Sequence, residues 1–439
     1  MKAILWRSST SIVILAFFMA ANHAFGDTLG IEVRSSDGGI IASQGRTSSS
    51  NPFELGSWFL PIISVNIFTL ALIILNKVNR LPKFIVKTFN YASRAEISPT
   101  ITAIMLAILF GIFFTFTYEQ LLHEEQWPDY VNYIKPAVEN WAWLGQIRGF
   151  EYFHVVKLFL ISLSQAAFGN IRLLPYVASI FVLILVYLLS YRITGKRIAG
   201  IVSLAVMIQS KTFLTFVGSA TYDNFWFAFY LLSVYLLFSR QPYLSPLTFA
   251  LSIFSKQLSA VLLPITLFIL YRSDAPKAKK LLIIYGIFLA AAIATVASGT
   301  LVTFEPNLES IGSRLNQIPL LLRVDGPFFF MFMLPVVVGL FLKARSMIYA
   351  DSVIFSIMFT ISLPFAVGVL TNGIYETHNT IPIIAFFAIG CGSLLASAKE
   401  KALHIDFTKI RSLIFYGSIG IVAFFLLPTI FPLLLPGID

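Results

Sequence analysis

The sequence predicts an all-α polytopic membrane protein, and three observations carry that prediction. The 439-residue chain is 57% hydrophobic and only 12% charged, with a mean hydropathy of +0.83. A soluble core cannot enclose that much apolar surface. Apolar runs recur along the chain between short polar breaks, enough for about 10–12 membrane segments. Lysine and arginine crowd into alternate breaks while acids and histidines occupy the others, the asymmetry that orients membrane helices. That pattern accounts for the net charge of +10 by topology, so the basic balance is no argument for nucleic acid as a partner. The single cysteine, Cys391, lies in the run IPIIAFFAIGCG. It has no internal disulfide partner and no Cys/His cluster for zinc, and reads as a small helix-packing residue.

Taken in order, residues 1–26 have a basic start (Lys2, Arg7), an apolar core over Ser11–Ala21 and small residues at Ala24 and Gly26. This is a signal-peptide pattern cut near Asp27, with an uncleaved anchor as the alternative. Residues 27–56 are Gly- and Ser-rich without periodicity, and are expected to form a flexible extracytoplasmic segment. The membrane domain is expected over 57–439. Ser57–Leu75 is its first span, followed by the cytoplasmic marker Lys77, Arg80, Lys83, Lys87 and Arg94. Thr100–Thr117 crosses outward and opens a first extracytoplasmic loop over 118–170, whose aromatics and acids suggest short amphipathic helices on the outer face. Within that loop Glu151–Gly169 is apolar but broken by Lys157, Ser164 and Gln165, and reads as partly embedded.

Pro175–Tyr191 returns inward to Arg192, Lys196 and Arg197; Ile198–Phe216 goes out again, with Lys211 as its oddity. Phe225–Phe238 runs inward to Arg240, which puts Asp223 at the outer mouth of a helix. Two short apolar pieces, Leu244–Phe254 and Leu258–Tyr271, read as a hairpin with Lys256 at its outer tip. Leu281–Val302, Pro327–Leu342, Ile348–Leu370, Ile381–Ala396 and Ser412–Pro432 complete the alternation.

An ionisable side chain at the mouth of an apolar helix is a candidate for function, because its hydration is curtailed and it requires partners. The predicted outer face gathers His123, Glu124, Glu125, Asp129, His154, Asp223, Lys256, Tyr375, Glu376 and His378. Each also has a plain reading. Glu124 and Glu125 suit a solvated loop, Lys256 can snorkel, His378 can bond a carbonyl, and Asp223 can cap the helix that follows it.

Within Asn170–Leu270, TYDNFWFAFYLLSVYLL and LSIFSKQLSAVLLP resemble motifs of the membrane-embedded C-type (GT-C) glycosyltransferases. Within that superfamily the stretch is similar in particular to the protein O-mannosyltransferases and lipid A aminoarabinose transferases. The first resembles an Asp opening a helix, the second a short-helix pair joined through a Ser-Lys element. EYFHVVKLFLISLSQAAFGN stands where such enzymes have a His-Pro-Pro-Leu element, though only His154 of it is present, and THNTIPIIAFFAIG is similar to a late helix start.

The resemblance implies a GT-C-like helix bundle that transfers a sugar from a polyprenyl-phosphate donor to a protein, lipid or glycan acceptor. The active site would be extracytoplasmic, at a plasma membrane or facing an endoplasmic reticulum lumen. It implies a loop carboxylate as general base, Glu125, with Glu124 or Asp129 as alternatives, and Asp223 orienting the acceptor or sugar. Lys256 would face the departing phosphate, supported by His154 and His378. No cofactor is expected, although Glu125, Asp223 and His154 are the set that would take a divalent ion. Two other classes remain open: a transporter or flippase, which would place its ionisable groups near the bilayer midplane, and a non-catalytic assembly protein.

Overall fold

The computed structural model describes residues 59–78, 80–84, 87, 96–125, 127–139, 154–239, 242–272, 280–287, 290, 325–343, 349–370 and 377–395. The expected signal peptide, the 27–56 segment, the end of the first loop, most of Leu281–Val302 and the last expected span lie outside these residues. The described chain is helical throughout, with no strand among the described residues.

The helices are α1 (Phe59–Lys77), α2 (Pro99–Thr117), α3 (Lys135–Glu139), α4 (Val155–Phe168), α5 (Leu173–Thr194) and α6 (Arg197–Ile208). They continue as α7 (Lys211–Thr215), α8 (Phe225–Leu237), α9 (Ser245–Ser255), α10 (Leu263–Arg272), α11 (Gly326–Lys343), α12 (Ala350–Leu370) and α13 (Ile381–Ser393). Two described helices, Pro99–Leu121 (α2 with the 3₁₀ turn that follows it) and Leu173–Thr194, are long and apolar enough to cross a membrane. The predicted single span 198–216 is in fact two helices. Ser210 breaks it by accepting the Phe213 N–H on its hydroxyl, and Lys211 then opens the short α7.

Local chemistry sets the boundaries. Ser98 caps α2 through the Ile101 N–H, with Pro99 in the first turn where no hydrogen-bonding N–H is required. Gly169 and Gly195 end α4 and α5 in the left-handed region, with φ of 66° and 72°. Their N–H groups close on the Gln165 and Tyr191 carbonyls, and only glycine adopts that conformation without a Cβ penalty.

The core is built by α5, α6, α8 and α13. Every residue of α13 is buried, as its unbroken apolar sequence requires. Close approach of α6 and α13 depends on Gly392, where a Cβ would meet the Ala199 carbonyl oxygen and the Ser203 hydroxyl. Small residues at helix contacts are how backbones approach in apolar surroundings. Ser190 and Ser203 join α5 to α6 with hydroxyl oxygens 2.6 Å apart. The outer helices differ: Leu60, Ile67, Ile104 and Phe116 stand 55–71% exposed on α1 and α2, an apolar girdle rather than a polar surface.

The helix ends sort into two groups. The start of α5, α8, α10 and α13 and the end of α2, α6 and α9 meet at one end, hereafter the cavity end. Helix α4 lies across it. Near its start His154 reaches Ser255 and Lys157 reaches Thr221, while near its end Ser164 donates to the Asn170 carbonyl, which precedes α5.

Candidate functional site

The loop Ser219–Asn224, between α7 and α8, is the hub of the cavity end. On one side it is held by Glu125. The Glu125 carboxylate, 5% exposed, accepts the Ala220 N–H, the Thr221 N–H at 3.2 Å, the Thr221 hydroxyl at 2.8 Å and the Ser219 hydroxyl at 3.3 Å. Arg172 Nε is 3.7 Å away and also donates to the Gly218 carbonyl at 2.8 Å, while its Nη1 donates to the His123 carbonyl at 2.6 Å. Gln120 completes the grip, accepting the Gly218 N–H and donating to the Leu214 carbonyl.

The reading of Glu125 as a solvated loop charge is therefore corrected. A loop carboxylate beside four backbone and hydroxyl donors from three consecutive residues and a guanidinium is fixed by them, because each leftover donor would cost about 1–3 kcal/mol if buried unpaired. Glu124 points elsewhere and pairs with Lys135 at 2.6 Å on the exposed surface. Of His123, the contact in the site is its carbonyl.

On its other side the loop faces a cavity of about 490 Å³, lined among others by Asp129, His154, Lys157, Tyr222, Asp223, Lys256 and His378. Asp223 Oδ2 lies 3.0 Å from Lys157 Nζ, both side chains less than 10% exposed, and Oδ1 accepts the Phe225 N–H at 3.0 Å. The capping reading of Asp223 thus holds in part, although α8 starts two residues later with Asn224 at its N-cap position. Lys157 also donates to the Thr221 carbonyl. Burying an ion pair of this kind requires such extra hydrogen bonds, since attraction alone does not offset lost hydration.

Lys256 occupies the break between α9 and the 3₁₀ turn Gln257–Leu262, with extended backbone. Its ammonium donates to Asn379 Oδ1 and His378 Nε2, each at 2.6 Å, and lies 5.6 Å from the Trp226 ring centre, within cation–π range. His378 and Asn379 come from the 3₁₀ turn Thr377–Thr380 before α13. Burial, then the Lys256 and Lys157 charges, push the His378 imidazole well below its ordinary pKa, so it meets Lys256 as a neutral acceptor. The His378 ring stacks on Tyr222 with centroids 4.4 Å apart. Trp127 and Phe216 meet the same tyrosine edge-on, and its hydroxyl reaches towards Asp129 Oδ2 at 3.5 Å.

Asp223, Lys256, His154, His378 and Asp129 thus come to one cavity from five separate stretches of sequence. Glu124 and Glu125 do not line it. Nor do Glu125, Asp223 and His154 gather: among the described residues no three His, Cys, Asp or Glu side chains form a set able to hold a metal ion. Sequence reasoning assigned no role to Lys157, Arg172, Tyr222 or Asn379. The signal for Lys157 was its position, a lysine inside an apolar helix, which demands a buried acid as partner. Asp325 was also passed over. It is half-buried ahead of α11 and accepts from the Ser210 hydroxyl at 2.8 Å and the Lys211 N–H at 3.0 Å. Burial raises its pKa against those hydrogen bonds.

No family model, curated protein or solved structure matches this chain.

Proposed function

We propose that the protein is a polytopic membrane glycosyltransferase that moves a sugar from a polyprenyl-phosphate donor to an acceptor on the extracytoplasmic face. The observation that carries this reading is one cavity flanked by apolar helices and lined by two carboxylates, two ammonium groups and two imidazoles. Donor chemistry fits such a lining: an isoprenoid tail beside exposed apolar helix faces, an anionic phosphate among cations, and a sugar among hydrogen-bonding groups. The resemblance of the Asp223 and Lys256 stretches to GT-C enzymes supports the same reading.

In the proposed reaction the acceptor oxygen attacks the anomeric carbon, a new C–O bond forms, and the bond from that carbon to the phosphate oxygen breaks. Configuration inverts. The acceptor's proton passes to a base lining the cavity, and Asp129 takes that role among the carboxylates, because Glu125 is enclosed by the 219–221 loop and Glu124 is turned away. Asp223, with both oxygens engaged, orients Lys157 rather than moving a proton. Polyprenyl phosphate departs with one more negative charge, and Lys256 stabilises it at the moment that charge develops.

The test is direct. Purified full-length protein in detergent is incubated with a panel of radiolabelled polyprenyl-phosphate sugars, and release of free polyprenyl phosphate is followed. Release from at least one donor, abolished in Asp129→Asn and Lys256→Met, supports the enzyme; label retained on every donor refutes it.

A further inference from the structure

The tautomer of His154 is fixed by its surroundings. Nδ1 lies 3.0 Å from the Ser255 carbonyl oxygen. A carbonyl only accepts, so Nδ1 carries the hydrogen and Nε2 is left with the lone pair. The ring lines the cavity, and no hydrogen-bond partner meets Nε2 among the described residues.

Every neighbouring element presents a titratable or charged group to this cavity. Lys157 comes from α4 itself, Lys256 from the end of α9, Asp223 from the 219–224 loop, His378 from the turn before α13, and Asp129 from the first loop. His154 stands exposed at the rim of the cavity; the protein packed around it, then Lys157 and to a smaller degree Lys256, hold the imidazole below its ordinary pKa, and the Ser255 carbonyl and Asp223 oppose them. Lys157 has two acceptors, Asp223 Oδ2 and the Thr221 carbonyl. An ammonium has three N–H groups, so one remains for a ligand.

An oxyanion entering between these groups would change the balance. It offsets the two ammonium charges that disfavour a second positive group nearby, and it offers Nε2 an acceptor once that nitrogen is protonated. We infer that Lys157, Lys256 and His154 form an oxyanion seat, and that His154 takes up a proton as the anion arrives. The seat recognises a phosphodiester or sulfate-like group. Only the identity of its natural occupant, a lipid-linked phosphate, rests on the function proposed above.

Calorimetric titration of the full chain in detergent tests this with two probes, sulfate and citronellyl methyl phosphate. Both keep a constant charge between about pH 5.5 and 8, so a pH dependence belongs to the protein. The expected result is net proton uptake approaching one per bound anion near pH 6.5, read from buffers of different ionisation enthalpy. Affinity should rise by up to about tenfold per pH unit as pH falls, levelling off once the empty-site imidazole is itself protonated. His154→Gln should bind as wild type does at pH 8 but lose both the uptake and the pH dependence, whereas Lys157→Met should bind more weakly at every pH. Tighter binding of the isoprenoid ester than of sulfate assigns a lipid source; equal binding assigns a free anion.

Absence of binding by either probe, binding without proton uptake, or uptake unchanged in His154→Gln overturns the inference. Uptake that persists in a protein inert towards every sugar donor would refute the enzyme and leave the seat standing. Donor turnover without uptake would do the reverse.

Discussion

The two sides of the Ser219–Asn224 loop use the same kinds of side chain to opposite ends. On the clamp side, Glu125 and Arg172 spend their hydrogen bonds on the loop backbone and its hydroxyls. On the cavity side, Asp223 and Lys157 pair with each other, yet Lys157 keeps an N–H, His154 keeps a lone pair and Asp129 stays exposed. A buried carboxylate whose oxygens are taken up by the loop it holds is a fastener. One that leaves a donor facing an open volume is equipped to meet a ligand. Burial and charge alone do not distinguish the two, since Glu125 and Asp223 are each 5% exposed; what distinguishes them is that the partner of Asp223 lines the cavity with an N–H to spare, while Arg172 does not line it.

The largest effect that would sharpen this contrast is expected at the clamp. Glu125→Ala leaves Arg172 and several loop donors buried without their acceptor, and should cost about 3–5 kcal/mol of stability, or prevent folding. Thermal unfolding in detergent checks it. Glu125→Gln, which keeps one acceptor oxygen, should lose less; a Glu125→Ala protein as stable as wild type would remove the distinction between the sides.

The second effect concerns the Lys157–Asp223 pair. Each single change, Lys157→Met or Asp223→Asn, strands a buried partner and should destabilise by about 2–4 kcal/mol. The double variant should recover part of that loss, a coupling that a double-mutant cycle measures. Additive losses would mean that the pair is not a unit.

A third effect lies in the core that carries both sides. Gly392→Ala forces α6 and α13 apart at the Ala199 carbonyl and should cost about 1–3 kcal/mol, seen in unfolding temperature while oxyanion affinity at a permissive temperature stays as in wild type. The smallest effect is expected at Glu124. Glu124→Gln breaks an exposed pair with Lys135 and should leave unfolding temperature and donor turnover unchanged; a loss of turnover would return Glu124 to the list of candidate bases.

How much of this was legible beforehand differs from residue to residue. Asp223 and Lys256 stood out because each is an ionisable group at an apolar helix boundary, and hydration cost makes such positions conspicuous in a single sequence. Glu125 and Asp129 could not be told apart in sequence, since both are acids in one polar loop. Which one faces the cavity depends on the path of 118–139 over the 219–221 backbone, and backbone donors carry no sequence signature. Lys157 was visible as an interruption, but its partner is 66 residues away along the chain.

The sequence by itself determined that the chain is helical and strongly apolar, where several helices begin and end, and that a few charged groups sit at helix ends. Those properties follow from side-chain hydropathy and from capping chemistry, which act over one or two turns. Only the tertiary structure decided which charges meet, which donors are consumed and which remain for a ligand. Hydrogen bonds saturate, and whether a given one is already spent depends on groups brought together from distant parts of the chain.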